Sequence, residues 1–108
     1  MKAIMKYKAH PDRSQITLAL RPGFKVVRFE YLLVEKSICL WIEQSLRPDI
    51  KEEIVTFKVV HTSEPVQNSM EYISTAVDPI GDGEWHLYSE GIEQHERRTV
   101  TQIASVAA

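Results

Sequence analysis

Apolar and polar positions alternate with a period of two along most of this chain, the signature of β-strands with one buried face. Ala3, Met5 and Tyr7 alternate with Lys2, Ile4, Lys6 and Lys8, predicting a half-exposed first strand. His10-Pro11-Asp12-Arg13-Ser14 predicts a turn, because proline fixes φ and Asp and Ser bond their local backbone. Ile16, Leu18 and Leu20 line one face of a second strand, which Arg21-Pro22-Gly23 ends. Between residues 24 and 34, Val27, Phe29, Tyr31 and Leu33 share a face, opposed by Arg28 and Glu30. The short Glu35-Lys36 connection predicts a hairpin into a fourth strand over residues 37–44. That strand is apolar on both faces, with Ile38, Leu40 and Ile42 on one and Cys39 and Trp41 on the other, which places it in the middle of the structure.

A loop containing Pro48-Asp49 leads into strand five, where Val55, Phe57 and Val59 alternate with Thr56 and Lys58. Residues 62–69, with Glu64-Pro65 and Asn68, form a longer loop of functional appearance. Residues 72–77 and 84–89 make two further strands, joined by Asp78-Pro79-Ile80-Gly81-Asp82-Gly83, a stretch of turn-forming residue types. Seven short strands at this spacing predict an all-β fold, a single antiparallel sandwich or small barrel. Trp41 and Trp85, each among apolar neighbours, are expected in its core. The division into domains is a β domain over residues 1–90 and a C-terminal extension over residues 91–108.

The extension is sparse in apolar residues, and its middle, Glu93-Gln94-His95-Glu96-Arg97-Arg98, is strongly polar. Ile92, Thr99, Ile103 and Val106 fit a weak helical stripe, whereas Thr99-Val100-Thr101 favours extended chain, so helix and strand both stay open. Too polar to make a core of its own, the extension is expected to dock on the body or on another chain. Exchange between protomers, and hence a homo-oligomer formed through the tail, is the preferred form.

Composition narrows the functional classes. A length of 108 residues suits one domain, and 44% hydrophobic with 26% charged residues is ordinary for a globular protein. The formal charge of −2 argues against a phosphate-seeking surface, and Lys2, Lys6 and Lys8 lack interleaved aromatics, so nucleic acid is not an expected partner. Lysines also guard exposed edge strands. Those lysines interrupt the first ten residues, so no apolar leader is expected. No stretch approaches the roughly twenty apolar residues that span a bilayer, so no membrane partner is expected and the location should be cytoplasmic. The lone Cys39 sits in an apolar run and reads as a buried small hydrophobe in a reducing compartment.

Candidate chemistry is thin. His61-Thr62-Ser63-Glu64 contains a base, hydroxyls and a carboxylate, but sequence neighbours do not generally reach the in-line geometry of a catalytic triad. His10, His61, His86 and His95 do not pair at a zinc spacing, and the four glycines make no phosphate loop. No catalytic residue, metal ligand or cofactor is therefore expected. Glu84, His86, Tyr88 and Glu90 share the face opposite Trp85 and Leu87, and with His61 and Glu64 they form the candidate binding surface. The default reading of such a stripe is a solvated outer face.

The ordered series of short motifs resembles a family of small phage and prophage proteins of unknown function. Its residues are Lys2, Ile4, Lys6 and Tyr7, then Pro22-Gly23-Phe24-Lys25-Val26, Ile38-Cys39-Leu40-Trp41 and Thr56-Phe57-Lys58-Val59. Thr62, Pro65-Val66, Glu71-Tyr72-Ile73-Ser74-Thr75 and Trp85-His86-Leu87-Tyr88 complete it, so the resemblance covers residues 1–90. One departure is His61-Thr62-Ser63-Glu64, where the family tends to carry a Gly-Thr-Gly-His type turn. The resemblance implies phage origin and a compact β-fold, and no reaction. The expectation that follows is a non-enzymatic phage accessory protein acting by binding, with a host defence or regulatory protein as partner in the host cytoplasm. The alternatives are a structural virion or assembly component oligomerising through sheet edges and tail, and a nucleotide-sequestering sponge.

Overall fold

A computed structural model describes residues 1–9 and 15–90. The turn expected at residues 10–14, the ligand readings of His10 and His95, and the tail expected to join protomers all lie outside the described residues. Seven strands follow one another: β1 (Lys2–Ala9), β2 (Gln15–Leu20), β3 (Lys25–Leu32), β4 (Ser37–Ser45), β5 (Glu53–His61), β6 (Glu71–Val77) and β7 (Glu84–Ser89). They pair antiparallel throughout, in a three-stranded sheet of order β1-β4-β3 and a four-stranded sheet of order β2-β5-β7-β6. The all-β sandwich expected from the alternation is what forms, and no helix occurs among the described residues.

Alternation decides what lies between the sheets. From β4 come Ile38, Leu40 and Ile42, and from β5 and β7 come Val55, Phe57, Val59, Trp85 and Leu87, all buried in one cluster. Ala9, Leu20, Phe24, Phe29 and Ala76 join it, with the Phe24 ring set edge-on to Phe57 at 6.2 Å. Each such aliphatic or phenyl side chain contributes about 1.5–3 kcal/mol on leaving water. Gln44, also buried, accepts a hydrogen bond from the Arg21 backbone N–H at 3.0 Å and donates to the Tyr7 hydroxyl at 3.5 Å. Its amide is therefore paired, which removes the penalty of burying it bare.

β4 is the central strand of its sheet, as its doubly apolar pattern predicts. Trp41, however, is not a core residue. It points away from Leu40 and Ile42, onto the outer face, where it is half-buried. Its indole lies under the Arg28 guanidinium at 4.7 Å and near the Lys6 ammonium at 5.8 Å. Those two residues are its cross-strand neighbours in β3 and β1, so the ring is covered by their stems and cationic heads rather than by a second sheet. Cys39 shares that face and is fully buried. Its thiol lies 3.6 Å from the Glu35 carboxylate, and burial first, then that contact, pushes the thiol pKa up.

The expected face of β3 also needs correction. A β-bulge between Val26 and Arg28 shifts the alternation, so Val26 packs on the core while Val27 is 47% exposed. Leu33 leaves the strand for the turn at residues 33–36 and is exposed, whereas Phe29 and Tyr31 remain inside. The hairpin itself closes as predicted, with the Lys36 N–H donating to the Leu33 carbonyl at 3.2 Å. Gly23 turns the chain between β2 and β3 at φ +87°, a conformation that a Cβ disfavours.

β3 and β6 lie against each other along one side of the sandwich. There Tyr31 stacks on Trp85, with ring centroids 5.0 Å apart and planes within 9°.

Candidate binding surface

The six residues of the candidate surface do not share one face. Glu84, His86 and Tyr88 do, and Glu90 continues their stripe beyond the end of β7, opposite the buried Trp85, Leu87 and Ser89. His61 pairs directly with Trp85, so its ring sits at the rim of the inner face, 5.9 Å from the indole. Glu64 turns back on its own backbone, accepting the His61 N–H at 2.8 Å, while its N–H donates to the His61 carbonyl at 3.1 Å. That turn carries Ser63 at φ +76°, so His61-Thr62-Ser63-Glu64 is a reverse turn at the end of β5. The geometry thus removes His61 and Glu64 from the outer stripe and brings in Thr62.

Thr62 is the hinge of a hydrogen-bond chain. Its hydroxyl donates to the Glu84 carboxylate at 2.7 Å and meets His86 Nε2 at 2.8 Å. On the other side of the ring, His86 Nδ1 lies 2.8 Å from the Thr75 hydroxyl, itself 2.8 Å from the Tyr72 hydroxyl. A hydroxyl has one proton to give. Since Thr62 gives its proton to the carboxylate, it accepts from His86 Nε2–H; with Nδ1 as the ring's acceptor, Thr75 donates to Nδ1 and Tyr72 donates to Thr75. Every link then has a donor and an acceptor, so the imidazole orientation is fixed from both ends. The order is carboxylate, hydroxyl, imidazole. A catalytic triad runs hydroxyl, imidazole, carboxylate, and here no carboxylate orients the ring and Nε2 has no free lone pair for the Thr62 proton.

Two members of the chain owe their position to a defect in β6. Tyr72 and Thr75 are three residues apart and would face opposite ways in a regular strand. A bulge between Tyr72 and Ser74 brings both to the outer face, opposite Tyr88 and His86. Tyr72 is 57% exposed and packs edge-on against Tyr88 at 5.8 Å. Thr62, Tyr72 and Thr75 are the residues that strand alternation misses, because only the cross-strand register and the bulge place them beside His86. Thr17, Ala19 and Ile54 extend the outer face across β2 and β5 as an exposed, uncharged surface.

Among the described residues, hollows border this sheet. One of about 390 Å³ runs between β3 and β6, floored by Phe29, Tyr31 and Ala76 and edged by Glu30, Thr75, Val77 and Pro79. A second, about 220 Å³, lies where Gln67 and Met70 of the β5–β6 connection meet Thr56, Lys58 and Glu90. A third, about 200 Å³, is framed by His61, Thr62, Asp82, Gly83 and Glu84. No cluster of three metal-ligating side chains occurs among the described residues. The Asp78 carboxylate opens the β6–β7 turn. It accepts the Ile80 N–H at 3.0 Å, and the Ile80 and Gly81 backbone bonds hold its pKa below the ordinary aspartate value.

Residues 1–98 match a family described as a domain of unknown function (DUF7352). The chain belongs to that family. The family match runs past Glu90, the last described residue of the β domain, and takes in the polar Glu93-Gln94-His95-Glu96-Arg97-Arg98 stretch. Searches of the curated proteins and of the solved structures return no significant match. Among the described residues no helix is long and apolar enough to cross a membrane.

Proposed function

We propose that this member of the family is a non-enzymatic accessory protein that works by binding another protein through the outer face of β6 and β7. The observation that carries the reading is the hydrogen-bond chain from Tyr72 through Thr75, His86 and Thr62 to Glu84, beside the Tyr72–Tyr88 pair. Surface hydroxyls and imidazoles on a solvated face have no need of such mutual fixing. Rigid tyrosines offer a large contact area for little conformational entropy, and a face held in one arrangement loses little order on docking. The two outer faces also differ in kind. That of the three-stranded sheet carries Lys2, Lys6, Lys8, Lys25 and Arg28 among Glu30, Glu35 and Glu43, and its ion pairs are exposed. The tyrosine face is mostly uncharged, as the centres of protein interfaces are.

The partner is proposed to be a host defence or regulatory protein met in the host cytoplasm. That part rests on the resemblance to small phage proteins. Affinity capture from a host lysate tests it, run in parallel with the parent protein and a Tyr72→Ala, Tyr88→Ala double variant. Both rings lie outside the core, so the variant should fold. A host protein retained by the parent and lost from the variant is the expected result. Equal capture by both, or capture of nothing, overturns the assignment of this face.

A further inference from the structure

We infer that the outer edge of β2 is a self-association edge, at which a second copy of this chain adds its own β2 antiparallel and joins two four-stranded sheets into one of eight strands. The inference stands independently of the binding role proposed for the tyrosine face.

The sandwich has four edge strands, β1, β3, β2 and β6, and three of them carry devices that discourage pairing. β1 presents Lys2, Lys6 and Lys8 along its length. β3 is bulged between Val26 and Arg28, and adds Lys25, Arg28 and Glu30. β6 is bulged between Tyr72 and Ser74. β2 has none of these features. Its six residues, Gln15-Ile16-Thr17-Leu18-Ala19-Leu20, include no charge, proline or glycine, and its pairing with β5 is regular from end to end. Among the described residues no strand lies on its other side.

An unguarded edge accepts some strand; the sequence of β2 says which. Ile16, Leu18 and Leu20 face the core, Ile16 and Leu18 only half-buried, while Gln15, Thr17 and Ala19 face out. A two-fold axis through Leu18 pairs Leu18 with its own counterpart, Ile16 with Leu20 and Thr17 with Ala19. Every inward residue then meets an inward apolar residue, so the half-exposed Ile16 and Leu18 gain the cover that they lack. A slip of one residue would set inward against outward positions. An uncharged strand meets its copy without repulsion, whereas a charged or polar partner segment would find nothing on β2 to recognise. At about 3.4 Å per residue the edge is roughly 20 Å long, a run of main-chain hydrogen bonds of the kind that carries strand addition.

The two-fold lies perpendicular to the sheet, so both tyrosine faces would look the same way. Sedimentation across micromolar to near-millimolar concentration, with hydrogen exchange of the β2 amides, tests the arrangement. The parent should sediment as a dimer, and the amides of β2 that point away from β5 should exchange slowly when concentrated and fast on dilution. A Thr17→Lys, Ala19→Lys variant places cations opposite each other across the axis, at exposed positions, and should be a monomer with the parent's circular dichroism. Val77→Lys, on the outer face of β6, should remain a dimer. A parent that is monomeric throughout, a lysine variant that still dimerises, or β2 amides whose exchange ignores concentration each overturn the inference.

Discussion

The Tyr31 ring lies flat on Trp85, 5.0 Å away and within 9° of parallel, and so joins β3 of one sheet to β7 of the other. Trp85 is 7% exposed and belongs to the core, while Trp41 has solvent on one side. Trp85→Ala should therefore cost about 3–5 kcal/mol. Trp41→Ala, which removes two cation contacts of about 0.5–1 kcal/mol each, should cost about 1–2 kcal/mol. Urea unfolding of the two variants under one set of conditions checks the order, and equal midpoints would contradict it.

Gly83 sits against the far edge of the same indole. A Cβ there would approach the Trp85 ring at 2.6 Å, and Tyr31 stacks on one face of that ring, which limits how it can shift. Gly83→Ala should destabilise the fold by about 1–3 kcal/mol, the usual cost of overpacking. In a Trp85→Leu background, which removes the ring, Gly83→Ala should cost much less than it does in the parent; two fully additive losses would exclude the clash as the cause.

Acid should weaken the protein through two kinds of carboxylate. Asp78 is held below its ordinary value of 3.8 by backbone N–H groups, and Glu35 below 4.5 chiefly by its hydrogen bond to Lys6. A depressed carboxylate stabilises the fold above its unfolded pKa, and that stability is lost as the pH falls through the folded one. The Asp78 contribution should survive high salt, because its partners are dipoles, whereas the Glu35 contribution should fade. Asp78→Asn, which has no proton to gain, should flatten the acid limb of stability against pH even in concentrated salt. At the other extreme the Lys6 pKa is raised above 10.5, mainly by the Glu35 hydrogen bond, so its stabilisation is present below that pH and lost above it.

Cys39 should be silent in the native state. Its thiol is buried and its pKa raised, so little thiolate forms at neutral pH. Ellman's reagent should label one thiol per chain in denaturant and almost none without it; rapid native labelling would mean that β4 opens readily.

The strands were legible because each of the seven alternates or is bounded by turn residues, and β4 announced its central place by being apolar on both sides. What alternation cannot carry is phase and partner. One extra residue at Val27 rotates the front half of β3, and one at Ile73 sets Tyr72 beside Thr75. Trp41 was misplaced because an apolar side chain can be covered by the stems of Lys6 and Arg28 as well as by a second sheet. The outer stripe of Glu84, His86, Tyr88 and Glu90 was visible from spacing alone. Its partners Thr62 and Thr75 were not, since they come from β6 and the end of β5 and meet β7 only through the register.

The strand order also sets the timetable of folding. Among the described residues, only β3–β4 and β6–β7 are hairpins of neighbouring strands; Lys2 must wait for Ser45, and Leu18 for Val55. During synthesis, then, the first two strands emerge long before their partners exist. Their ladders can close only after one hairpin has formed and the next strand has left the ribosome. Such distant pairings slow the search, placing the protein among the millisecond-to-second folders of its class. The lysines of β1 keep the first waiting strand in solution; β2, which has none, spends that interval as the stretch most exposed to premature pairing.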